Sequence, residues 1–118
     1  MSEHGAWPGS EVADRAGSHA INRSALASSW RAAGRVLAVE WNGSTVFPAF
    51  QFDADVQPRP AIATVLAHLR AAGLSEWQQA LWFNAVTGWL GDRRPVDLLD
   101  IEPAAVIAAA AAFHDRPT

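Results

Sequence analysis

Between Ser75 and Leu99 the chain reads SEWQQALWFNAVTGWLGDRRPVDLL, and no other stretch limits the fold as tightly. It predicts a capped helix over about 76–90, apolar on nearly every side, then a break at Gly91, an Arg-Arg-Pro turn at 93–95 and a short helix over about 95–100. A helix without a polar face has to be covered all round, by its own domain or by a partner. In a chain of 118 residues part of that cover is expected from outside.

The length suits one core and not two. Hydrophobic residues make up 50% of the chain and charged residues 18%, a globular but weakly charged composition. The basic residues are all arginine, 9 against 12 Asp and Glu, and the net charge of -3 has the wrong sign for a chain devoted to neutralising phosphates. Without cysteine there is no disulfide, thiolate metal site or cysteine nucleophile, which fits a cytoplasmic protein. The first residues, MSEHGAWPGSEVADRAGSHA, lack the basic-then-apolar pattern of an export signal. The longest near-apolar run, 104–113, is about half of the ~20 residues that span a bilayer, so no membrane association is expected.

Residues 1–22 hold little apolar surface and are expected to form a flexible tail, with Trp7 docking somewhere. The compact domain is expected over 23–118. Ser24 can cap a short helix running to about Ala33, with Leu26 and Trp30 on one face and Gly34 as its stop. VLAVEW, Asn42-Gly43 and STVFPAF predict a hairpin over 36–50 with a type I′ turn, which sets Val39 opposite Val46 and Ala38 opposite Phe47. Pro48 cannot donate to a ladder, so the second strand is expected to be an edge or to end there. Ile62, Val65, Leu66 and Leu69 have the spacing of one buried helix face over 60–72, and Pro103 opens a narrow, alanine-rich helix over 103–114. The expected class is mainly α with one β-hairpin (α+β), a small single-domain helical module.

Nothing in the pattern points to catalysis. His4, His19, His68 and His114 have no metal-ligand spacing, and Asp92, Asp97, Asp100 and Glu102 sit where carboxylates satisfy turns and helix starts. There is no phosphate loop and no nucleophile beside a base. No catalytic residue, metal site or cofactor is expected, and the chain is not read as an enzyme. The six tryptophans carry more. Trp30 and Trp41 suit a core, whereas Trp77, Trp82 and Trp89 cannot all be buried around one helix of a small domain, so at least one is expected at an interface. Arg93 and Arg94 fit equally a helix C-terminus and the rim of such an interface.

The pattern W-F-N-x-x-x-x-x-L-G-x-R-R-P-x-D-L-L from Trp82 to Leu99, followed by an alanine-rich helix, resembles the toxin-binding domain of Xre/MbcA/ParS-type antitoxins. FPAFQFD at 47–53, after a hairpin and before a Pro-led helix, is similar to the segment preceding that domain in antitoxins of RES-domain toxins. Trp82, Asn84, Leu90, Gly91, Arg94, Pro95, Leu98 and Leu99 match the motif. The resemblance implies a type II antitoxin that sterically neutralises a cognate RES-domain, NAD-degrading toxin, as a hetero-oligomer with it, and a homodimer is compatible with the apolar surface. The toxin-binding residues expected on this basis are Trp77, Trp82, Asn84, Trp89, Arg93, Arg94, Leu99 and Phe113. Fuller members of the family carry an N-terminal helix-turn-helix. With a single helix predicted before the hairpin, DNA binding is not part of this expectation. The competing expectation is a DNA-binding autorepressor whose N-terminal segment completes a divergent helix-turn-helix, motivated by Arg15, Arg23, Arg31 and Arg35.

Overall fold

A computed structural model describes residues 5–17, 25–85 and 90–114. Along it run β1 (Ala6–Pro8), α1 (Gly9–Arg15), α2 (Ala25–Ala32), β2 (Val39–Trp41), β3 (Ser44–Pro48), a 3-10 turn (Ala49–Gln51), α3 (Pro60–Ala71), α4 (Glu76–Phe83), α5 (Pro95–Leu98) and α6 (Pro103–His114). The class is α+β, mainly helical around a small antiparallel sheet in the order β1-β3-β2.

The sheet is the middle layer, because alternate residues of its strands and their approaches point to opposite faces. Val36, Ala38 and Phe47 join Val12, Ala27, Trp30, Phe52 and Val56 in a core under α1 and α2. Leu37, Val39 and Val46 join α3, α4, α5 and α6 in a second core on the other face. Asn42 (φ 50) and Gly43 (φ 78) both take the left-handed conformation, and Val39 lies opposite Val46 as the turn type requires. Gln51 is fully buried and ties the two chain segments together: its Nε2 donates to the Leu37 carbonyl and its Oε1 accepts from the Leu37 N–H, each at 2.8 Å.

Two expectations are corrected here. Residues 1–22 do not form a tail throughout: Ala6–Pro8 pairs with β3, and α1 buries Val12 and Ala13 completely. The folded unit therefore begins well before residue 23. Trp7 stacks on Phe52 at 5.7 Å, so burial that residues 1–22 could not supply locally comes from across the sheet. Of the two alternatives for the second strand the latter holds: β3 is the central strand, and it ends at Pro48, where a missing N–H is tolerated.

The helix expected over 76–90 ends at Phe83, with Asn84 (φ −101, ψ 0) as its C-cap and the Asn84 side chain donating to the Ala80 carbonyl at 3.0 Å. Its start is as expected, a Ser75–Gln78 capping box. Nor is it apolar all round, since Gln79 is buried and Glu76 and Gln78 belong to its polar side. α3 buries Ile62, Val65, Leu66 and Leu69 and packs mainly on α6, whose Val106, Ala109 and Ala110 let the two helices approach closely.

Candidate functional site

Two surfaces stand out, one on each side of the central sheet. The first is the outward face of α2. Leu26, Ala27 and Trp30 turn inward, and α1 packs against α2, β1 and β3. Ala25, Ser28, Ser29 and Ala32 stay exposed, which leaves a face of small and hydroxyl side chains. Gly34 (φ 76) ends the helix with a Schellman arrangement, the Arg35 N–H donating to the Trp30 carbonyl and the Gly34 N–H to the Arg31 carbonyl. The Asn42-Gly43 turn of the hairpin is also exposed.

Positive charge collects where α2 ends. Arg15, Arg59, Arg93 and Arg94 are each paired with a carboxylate, of Glu11, Asp100, Glu102 and Asp97 in turn. Among the described residues Arg35 and Arg70 form no such pair. The Arg35 guanidinium lies 5.9 Å from the Trp30 ring centre, and the Arg70 guanidinium lies over Gly34, so close that a Cβ there would come within 2.9 Å of its Nη2. Arg31 donates from Nε (3.2 Å) and Nη2 (2.5 Å) to the two carboxylate oxygens of Glu76, which also accepts from the Ala38 N–H at 2.9 Å. Partial burial pushes the Glu76 carboxyl up, but the Arg31 hydrogen bond, the Ala38 N–H and the charges of Arg31 and Arg70 outweigh it and hold it below its ordinary value. The Arg31 guanidinium is raised by the same hydrogen bond.

The second surface is on α4, where Trp77 (43% exposed) and Leu81 (54%) lie one turn apart. The other expected toxin-binding residues are scattered. Trp82 is half-buried with its ring edge-on to Phe83 at 5.3 Å, and Phe113 is half-buried against the same core. Asn84 caps its own helix. Arg93 is exposed but donates to the Leu90 carbonyl and pairs with Glu102, while Arg94 holds Asp97 with two bonds. Leu99 is only 6% exposed and belongs to the core, as do Leu90, Pro95 and Leu98. Its expected place at an interface is corrected: the Leu98-Leu99 pair closes α5 onto α6 and has no surface to offer. Trp89 lies outside the described residues. Of the two tryptophans expected in a core, Trp30 is buried and Trp41, at the end of β2, is 44% exposed.

Arg70 and Glu76 were missed as functional candidates in the sequence. Each reads there as an ordinary helix-end charge, the acid in a first turn and the base in a last one, with no local sign that they meet α2. No group of three or more potential metal ligands occurs among the described residues. No helix among them is long and apolar enough to cross a membrane.

No family model and no curated protein matches the chain. A solved structure does: the NMR structure of Rv2175c aligns with 97% of this chain and 84% of that one, with a TM-score of 0.77 and 22% identity. At that identity the likeness is one of fold.

Proposed function

We propose that this protein is a DNA-binding regulator that engages duplex DNA with the exposed face of α2, supported by α1, and with the β2–β3 hairpin turn, and that it carries out no chemistry of its own. One observation carries the proposal. α1 packs against α2, so the pair of helices that a helix-turn-helix requires is present ahead of the hairpin, where the sequence alone suggested one.

Ala25, Ser28, Ser29 and Ala32 allow a close approach to a major groove, and a serine hydroxyl can donate to or accept from any base edge. Arg35 and Arg70 offer phosphate contacts, which fix position on the duplex. The net charge of -3 opposes this, but the excess is not carried by the segment that holds α1, α2 and the hairpin. Residues 1–52 hold four arginines and four carboxylates, and the acidic excess is confined to 53–118, with five arginines and eight carboxylates. A cytoplasmic location and the lack of cysteine are consistent with this work.

Fluorescence anisotropy on duplexes from the DNA upstream of its own gene tests the proposal. Log affinity is expected to fall linearly with log salt between about 50 and 200 mM, with a slope of about −0.9 for each phosphate contacted. Affinity independent of salt, or no binding at the low end, would overturn it.

The pair Trp77 and Leu81 favours a second role, binding of an inhibited protein partner of the RES-toxin kind, on a different surface. Its test is co-purification with a RES-domain protein encoded nearby. Retention that is lost in Trp77→Ser supports that role, and continued NAD loss in cells making both proteins rejects it.

A further inference from the structure

Beside α2 runs a groove of about 480 Å³ lined by Ser28, Arg31, Ala32, Val36, Arg70 and Glu76. Resting on α2 as the DNA-facing helix, we propose that this groove seats one backbone phosphate of the duplex, with Arg70 as its standing ligand and Glu76 as an internal competitor for Arg31.

The groove opens on the exposed face of α2, since Ser28 and Ala32 form both its wall and that face. Two guanidiniums and one carboxylate leave it a single excess positive charge, which a phosphodiester balances. Arg70 reaches it from the last turn of α3, in the layer on the far side of the sheet, and Gly34 leaves room for its guanidinium. Arg31 grips the two oxygens of Glu76 with Nε and Nη2, the same two-pronged geometry by which a guanidinium grips phosphate. Glu76 therefore holds Arg31 as a phosphate would, and its charge repels a phosphate entering beside it. The C-terminal layer thus supplies one cation to DNA binding and restrains another.

Salt series on a duplex of arbitrary sequence, run with the intact protein and four variants, test this. Glu76→Gln keeps an acceptor for the Ala38 N–H but frees Arg31, and is expected to raise affinity roughly tenfold at about 50 mM salt and to steepen the slope by about one contact. Arg70→Gln is expected to weaken binding roughly tenfold and to flatten the slope by about one. Adding Arg31→Gln to Glu76→Gln is expected to restore the slope of the unaltered protein. Asp97→Asn makes the same change of net charge away from the groove and is expected to leave the slope alone. Arg70 is exposed, so Arg70→Gln carries the test if circular dichroism shows Glu76→Gln to be misfolded.

The groove is not a phosphate seat if the unaltered protein binds with a salt slope while Arg70→Gln leaves that slope unchanged, or if Asp97→Asn matches Glu76→Gln. Pyrophosphate that binds at Arg70 as tightly as duplex does would assign the groove to free anions and overturn the proposal. If no protein in the series binds duplex at low salt, the DNA-binding function itself falls, and the seat with it.

Discussion

The two faces of the central sheet use their arginines differently. On the side of α3 to α6, Arg59, Arg93 and Arg94 are spent on Asp100, Glu102 and Asp97, joining the loops at the two ends of α5 to one another and to the 3-10 turn. On the side of α1 and α2, Arg35 stacks near Trp30 without a carboxylate, and Arg31 is held by a residue of the opposite layer. The cores differ too. One is built mainly from Leu, Ile, Val and Ala of regular helices around the Phe50–Phe83 ring pair, the other around Trp7, Trp30, Phe47 and Phe52 on short elements. Large rings bury much area per residue, so α1, of seven residues, can be held by few contacts and leave the outer face of its partner free. Arg35 on the α2 side, joined by Arg70 reaching in from α3, thus remains available to a ligand, whereas Arg15 is paired with Glu11 and Arg59, Arg93 and Arg94 serve the fold.

The comparison breaks first if the two layers are not one cooperative unit. Phe83→Ala, in the core against α3 to α6, and Trp30→Ala, in the core against α1 and α2, are each expected to cost about 3–5 kcal/mol, as truncation of buried rings does. Because both cores share the sheet, urea unfolding followed by far-ultraviolet circular dichroism should remain a single transition in each. Two separate transitions in either variant would mean that the layers fold independently.

A sharper contrast comes from binding. Arg35→Ala is expected to lower affinity for duplex DNA roughly tenfold at low salt and to remove about one contact from the salt slope, whereas Arg93→Ala leaves binding unchanged. Equal losses would show that charge alone, and not its position, decides. Smaller again is Ser75→Ala, which removes the acceptor for the Gln78 N–H and is expected to cost about 1 kcal/mol in thermal or urea melts, with no change in DNA affinity.

The smallest effect is one of pH. The Glu76 carboxyl lies below its ordinary value of 4.5 in the folded protein, so its ionised form stabilises the fold above that value and the contribution fades as pH falls through the lowered one. Both partners are well exposed, which keeps the effect within about 1 kcal/mol. Melts at neutral and acid pH should therefore show a slightly smaller loss of stability on acidification in Glu76→Gln than in the unaltered protein. An unchanged acid sensitivity would place the titrating group elsewhere.

Local rules made half of this molecule legible. Asn42-Gly43 admits one hairpin turn, and that turn fixed Val39 against Val46. The 62, 65, 66, 69 spacing predicted a buried face that α3 possesses. Ser75 and Pro103 marked the starts of α4 and α6. What failed depended on contacts distant in sequence. Nothing near Trp7 reveals that Phe52 will stack on it, so β1 and α1 were read as a tail. Asn84 could continue a helix or cap one, and its bond to the Ala80 carbonyl accompanies the second. Leu99 looked like surface because its motif suggested binding, yet it packs inward. Arg70 and Glu76, from α3 and α4, reach the α2 groove only through tertiary packing across the sheet.

Amide chemical-shift mapping of the labelled protein during titration with duplex DNA tests the central claim most directly. Shifts concentrated on α2, on Gly34 and Arg35, and on the Asn42-Gly43 turn, with α6 silent, are the predicted result. Shifts centred instead on Trp77 and Leu81, or none at all at low salt, would contradict the assignment of DNA binding to the α2 face.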